Sequence, residues 1–158
     1  MSETQPSETA SLADTDQARI DAILEFWFKE QAMTAPQIDR RMDIWFGEDE
    51  VFDLECKKNF SADIHRASAG ELDHWAEDPR GRLALILLLD QFRRNIYRNT
   101  AEAFAMDKAA LKLCVEGARN RKDKGLTPIQ QAFFYMPLQH AESLRAQQMA
   151  VEIFSRLA

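Results

Sequence analysis

Apolar residues recur at every third or fourth position along most of this chain, which is the spacing of one face of an α-helix. The first such stripe follows the residues Asp14 and Gln17, whose spacing is typical of a capping box, and it ends at Trp27. The second helix is predicted from Thr34 to Gly47 because a proline stands in its first turn and a glycine at its end. A third helix is predicted from about Asp49 to before Gly70.

A central helix is predicted to begin at Asp78-Pro79 and to run through Leu83–Leu89 as far as Asn95. The seven apolar residues are Leu- and Ala-rich with a single β-branched member, which favours a helix over a strand. Such a helix has no polar face and is therefore expected to be buried on all sides. The remaining cap and break signals predict three more helices, which begin at Asn99 or Thr100, at Thr127 and at Gln139.

The pattern thus predicts an all-α protein of about seven helices, with no strand and no linker between them. We expect a disordered lead-in over residues 1–13, because it is rich in Ser, Thr, Glu and Pro, and one helical domain over residues 14–158. Composition agrees, since the 158 residues contain five glycines and five prolines and are 46% hydrophobic. Collagen-like, disordered and disulfide-rich classes are excluded.

Charge and targeting signals narrow the function classes. The net charge of −6 argues against a nucleic-acid-binding protein, which usually presents a basic surface. The longest apolar run is far shorter than the ~20 residues that span a bilayer, and the N-terminus lacks the basic and apolar regions of a secretory signal. Two cysteines without paired spacing fit a reducing compartment, so we expect a cytoplasmic protein.

Several polar residues fall on predicted inward faces. Asp90 lies on the apolar stripe of the central helix, and Arg94 follows at i+4, so we predict a buried or half-buried ion pair. Asp107 lies at the edge of a stripe that includes Phe104, and His140 opens a stripe that continues through Val151. The candidate cluster contains Asp90, Gln91, Arg94, Asn95, Asp107, His140, Glu142 and Gln147.

Two interpretations of this cluster stay open. It is either a hydrogen-bonded network that locks the helices together or a polar pocket at the ends of the central and last helices. We find no nucleotide-binding or hydrolase motif, and the single Glu-x-x-His at Glu71–His74 falls short of a di-metal site, which uses two copies. We therefore expect neither a metal nor a cofactor.

Four long motifs resemble the bacterial "domain of unknown function 924" family. They are Ile23–Phe28, Gly81–Arg98, Ala103–Asp107 and Phe133–Leu144, and the resemblance extends over about residues 16–157. It implies an all-α, tetratricopeptide-like right-handed stack of helices but no known reaction. Positions that match the family pattern are Asp90, Gln91, Arg94, Asn95, Tyr97, Arg98, Asp107, His140, Glu142 and Gln147.

The chain also departs from the family pattern. Arg93, Asn99, Ala141 and Ser143 stand where the family usually has Pro, Gly, Ser and Asp. Family members tend to continue with a further segment beyond the position of Ala158. If that segment completes a pocket, we expect the site here to be open, altered or inactive. We also expect the wide apolar arc of the last helix to be partly exposed and to favour a homo-oligomer.

The sequence supports two functional hypotheses. The first is a non-enzymatic binding module or scaffold with an unidentified protein or small-molecule partner, since stacked helices present extended binding surfaces. The alternative is a small-molecule binder or enzyme in which His140 is the acid or base, Asp90 or Asp107 orients it and Arg94 anchors an anion. Hydrogen-bond reach and solvent access at His140 distinguish the two.

Overall fold

The computed structural model describes residues 13–29, 33–141 and 144–157, and all regular structure in these ranges is helical. Seven α-helices have seven residues or more, and two shorter α-helices and two 3₁₀ turns connect them. The predicted lead-in lies outside the described residues except for Ala13. In chain order the elements are α1 (Asp14–Phe28), α2 (Ala35–Phe46), α3 (Glu50–Ser68), a 3₁₀ turn (Asp73–Glu77), α4 (Pro79–Leu89), α5 (Gln91–Ile96), a 3₁₀ turn (Ala101–Phe104), α6 (Asp107–Arg119), α7 (Pro128–Phe134), α8 (Met136–His140) and α9 (Leu144–Leu157).

Side-chain caps begin four of the described α-helices, which are α2, α3, α4 and α7. The helix start predicted at Thr34 is confirmed, and Thr34 forms a capping box there with Gln37. The Asp49 carboxylate accepts a hydrogen bond from the backbone N–H of Phe52 at 3.0 Å. The predicted capping box at Asp14 is wrong, because Asp14 is already the first residue of α1 and Ala13 precedes it without a side-chain cap. An acidic residue in the first turn still complements the helix dipole.

Helix α4 lies at the centre of the core, as its uniformly apolar sequence predicts. Every residue from Gly81 to Leu89 is buried. An aromatic cluster contributes to the same core, in which the Trp27 ring lies 5.4 Å from Phe133, 5.6 Å from Phe92 and 5.9 Å from Phe52. These rings come from α1, α3, α5 and α7, so their contacts join helices that are distant in sequence.

The predicted central helix is wrong beyond Leu89. Asp90 has φ −112° and ψ −81°, which lies outside the α-helical region, and α5 begins at Gln91 after this break. The helix is therefore interrupted at the point where its polar residues begin. The predicted fifth helix is also divided, into the 3₁₀ turn at Ala101–Phe104 and α6.

The last predicted helix is divided as well. His140 ends α8 instead of opening the final helix, and α9 begins at Leu144. The stripe extrapolated from His140 is consequently out of phase, so Val151, predicted to face inward, is exposed, whereas Ala150 is buried. Phe104 is exposed for the same reason, since it belongs to the 3₁₀ turn that precedes α6. None of the described helices combines the length and apolar character needed to cross a membrane.

Candidate functional site

Asp90, Arg94, Asp107 and His140 form one hydrogen-bonded group, which we call the Asp90 cluster. Arg94 Nη1 donates to Oδ1 of Asp90, as the i,i+4 spacing predicts, and to Oδ1 of Asp107 at 2.9 Å. Arg94 Nη2 donates to Oδ2 of Asp107 at 3.0 Å, so this carboxylate is held by both terminal nitrogens. His140 Nδ1 lies 2.8 Å from Oδ1 and 3.1 Å from Oδ2 of Asp90.

The break after α4 creates this arrangement. It places Asp90 between α4 and α5, with Arg94 one turn later, and α6 and α8 supply Asp107 and His140. Asp107 lies in the first turn of α6, where the helix dipole favours a carboxylate. Asp90 is the most buried member of the cluster, with 1% of its side chain exposed. The side chains of Arg94, Asp107 and His140 are 19%, 25% and 24% exposed.

The contact with Asp90 fixes the orientation of the His140 ring. A carboxylate accepts hydrogen bonds, so the proton in this contact is on Nδ1 of His140 and Asp90 is the acceptor. The enzymatic hypothesis requires His140 to lie within hydrogen-bond reach of a carboxylate, and the contact with Asp90 meets this requirement. Arg94 is less suited to anchor an anion, because its guanidinium is already engaged by Asp90 and Asp107.

Of the remaining candidate residues, Asn95 belongs to a different group of contacts. The buried Asn95 side chain donates to Asp53 Oδ1 at 2.9 Å, and Arg98 Nε donates to Oδ2 of the same carboxylate at 2.9 Å. Gln91 is buried, and its side chain forms no hydrogen bond within the described part of the chain. Glu142 lies outside the described residues, and Gln147 belongs to α9, where its backbone alone is described.

Sequence reasoning missed Asp53, although a signal was present. Asp53 precedes Cys56 by three residues and Phe60 by seven, which places all three on one stripe of α3. Arg93 was also missed, and it is buried with its Nε donating to the carbonyl of Glu102 at 3.1 Å. Arg93 occupies a position where the family usually has Pro, and no apolar periodicity there indicates that its side chain is buried.

A second feature is a groove between α6, α8 and α9, which we call the α6–α9 groove. It contains a partly open cavity of 380 Å³, within the ~300–1,000 Å³ that is typical of small-molecule sites. Sequence reasoning gave no sign of it, because three separate elements contribute to it. Its apolar walls contain Leu111, Val115, Ala118, Leu138, Met149 and Ile153, and its polar lining residues are Cys114, Arg119, Tyr135 and Arg145.

Two polar groups of the groove wall, the Tyr135 hydroxyl and the Cys114 thiol, are neutral. The Tyr135 hydroxyl donates to Oδ2 of the buried Asp123 at 2.6 Å, and burial, with Asp123 beside it, raises the pKa of that hydroxyl. Burial and the nearby Asp90 charge raise the pKa of the Cys114 thiol to about 12. The wall therefore presents no ionised group from these two side chains near neutral pH, which suits an apolar occupant.

The groove and the Asp90 cluster share elements. Asp107 begins α6, Leu111 lines the groove one turn later, and Arg119 ends the helix at the other side. Helix α8 contributes Leu138 to the groove and His140 to the cluster. The ion pairs of the cluster consequently hold two of the three elements that form the groove.

Similarity to other proteins identifies the family. A structure of a protein of unknown function from Agrobacterium tumefaciens, ATU0120, is similar with a TM-score of 0.79 and 34% sequence identity over 90% of this chain and 75% of that chain. No curated protein matches the chain. The family described as "bacterial protein of unknown function (DUF924)" matches residues 23–158. The chain therefore belongs to the DUF924 family.

Proposed function

We propose that this protein is a non-enzymatic helical binding module whose ligand occupies the α6–α9 groove. The supporting observation is the 380 Å³ cavity with apolar walls, which has the size and lining of a small-molecule site. The ion pairs of the Asp90 cluster position the groove walls in this proposal instead of carrying out chemistry. Their groups are largely satisfied by one another, as expected of a structural network.

The proposal also covers the stacking of the helices, the cellular compartment and the oligomeric state. We propose that the helices stack as a tetratricopeptide-like right-handed superhelix, the arrangement that the family resemblance implies, and that the protein acts in the cytoplasm. Two exposed apolar residues of α9, Met149 and Val151, would favour self-association into a homo-oligomer. Sedimentation that gives a strict monomer at high concentration would contradict this last point.

A neutral apolar dye tests the binding role directly. N-phenyl-1-naphthylamine should bind the wild-type protein with increased fluorescence, because most of the groove wall is apolar. Ala118→Trp fills the groove from α6 and Met149→Glu places a charge in its α9 wall, so each should weaken binding by about tenfold or more, equivalent to about 1.4 kcal/mol.

The matched control is Glu116→Trp, which adds the same side chain to α6 at an exposed position that does not line the groove. Its affinity for the dye should equal that of the wild type. Binding that survives both Ala118→Trp and Met149→Glu would place the dye elsewhere and refute the proposal.

A second candidate function is proton transfer at His140, and the His140–Asp90 contact is the observation that favours it. A screen of generic esters, amides and phosphate esters should then find turnover that His140→Gln lowers by about 100-fold, the scale of general acid–base catalysis. His65→Gln is the control, because His65 is exposed on α3. Equal turnover in the wild type and His140→Gln would exclude this function.

A further inference from the structure

Two sulfur-containing side chains line the α6–α9 groove, and they differ in their access to solvent. Met149 of α9 is 37% exposed, whereas Cys114 of α6 is buried. Burial raises the pKa of the Cys114 thiol to about 12, so the thiol stays protonated near neutral pH and reacts poorly with an oxidant. The Met149 thioether has no proton to lose, so its oxidation depends on access and not on pKa. An oxidant that reaches the groove is therefore expected to react at Met149.

The position of Met149 gives its oxidation a specific consequence. Most of the groove wall to which it belongs is apolar. Oxidation converts the apolar thioether into a polar sulfoxide, and an apolar occupant packed against that group would remove it from water at a cost in free energy. Met42 on α2 is 43% exposed but does not line the groove, so the same reaction there should have no such consequence.

We propose that Met149 is a reversible oxidation site whose sulfoxide form has a lower affinity for an apolar ligand in the α6–α9 groove. This inference rests on the proposed binding function and adds the regulation of the same groove. Hydrogen peroxide supplies the oxygen atom: the sulfur lone pair attacks one peroxide oxygen, the O–O bond breaks and water leaves. A thiol-dependent methionine sulfoxide reductase reverses the change, in which the oxygen leaves as water and two thiols become a disulfide.

The first measurement is the oxidation of each methionine in the full chain, by limited peroxide treatment and peptide mass spectrometry. Met149 and Met42 should each gain one oxygen atom well before Met136, which is 5% exposed. Saturating N-phenyl-1-naphthylamine should slow the oxidation of Met149 by about threefold or more and leave that of Met42 unchanged, because the bound dye covers only the groove. Oxidation of Met149 that is no faster than that of Met136 would overturn the inference.

The second measurement is the affinity for the dye before and after oxidation, with each variant compared with itself. Oxidised wild type should bind about fivefold more weakly, and treatment with reductases for both sulfoxide epimers and dithiothreitol should restore its affinity. Met149→Leu removes the reactive sulfur from the groove wall and keeps a similar apolar volume, so oxidation should leave its affinity unchanged. Met42→Leu is the matched control and should lose affinity on oxidation as the wild type does.

The outcomes separate this inference from the proposed function. An equal loss of affinity in oxidised Met149→Leu would assign the effect to another residue and overturn the inference. An unchanged affinity of the oxidised wild type would also overturn it and leave an apolar binding groove standing. An absence of dye binding before oxidation would refute the proposed function and this inference with it.

Discussion

Replacing Arg94 with methionine removes the guanidinium that bridges two carboxylates and leaves the Asp90 side chain, which is 1% exposed, with His140 as its remaining partner in the cluster. Removing one member of a buried ion pair costs about 3–5 kcal/mol, because the other charge stays buried without compensation. The contact with His140 keeps part of that compensation. The lost contact with Asp107 adds less than about 1 kcal/mol, since both groups are partly exposed.

We therefore expect Arg94→Met to lower the free energy of unfolding by about 3 kcal/mol. Urea denaturation measures this, and a slope of about 2 kcal/mol per molar urea would lower the midpoint by about 1.5 M. The same loss corresponds to a melting temperature lower by roughly 6–12 °C for a chain of this size. The denaturation slope should stay unchanged, which shows that the native state keeps its compactness.

Arg80→Met is the matched control, because Arg80 makes the same kind of contact with Asp21 at the surface, with 35% and 60% of the two side chains exposed. It should cost less than about 1 kcal/mol. The double variant Asp90→Leu with Arg94→Met should recover part of the loss, since both charges are then removed together. The structural role of the Asp90 cluster is refuted if Arg94→Met is no more destabilising than Arg80→Met.

Two further outcomes follow from the packing of α6 and its neighbours. Gly117→Ala should destabilise the protein by about 1–3 kcal/mol in urea denaturation, because the added Cβ would lie 2.6 Å from Phe134 Cζ. This loss should exceed the gain from the higher helix propensity of alanine. A stabilised variant would contradict this contact. Stability should fall as pH rises above ~8.5, because burial raises the pKa values of Cys114 and Tyr135, so the native state keeps protons that the unfolded chain loses. Cys114→Ala should make this alkaline decline less steep, and an unchanged decline would show that the thiol does not contribute.

Local signals predicted the parts of the fold that depend on a few adjacent residues. The capping boxes begin α2 and α7 because the side chain and backbone groups involved are three residues apart. The apolar run at Leu83–Leu89 predicted a buried central helix, because no polar side is present to face water. The break at Asp90 could not be predicted in the same way, since the contacts made there by His140 come from 50 residues away.

The candidate site also combines a contact that is local in sequence with contacts between residues distant in sequence. The sequence by itself determined that Asp90 and Arg94 meet, because residues four apart lie together on a helix turn. Only the tertiary structure decided that Asp107 and His140 join them, and that Asn95 turns instead to Asp53, 42 residues away. The α6–α9 groove was also decided by the tertiary structure alone, because three elements form it. The spacing of residues within one helix carries no information about where another helix packs.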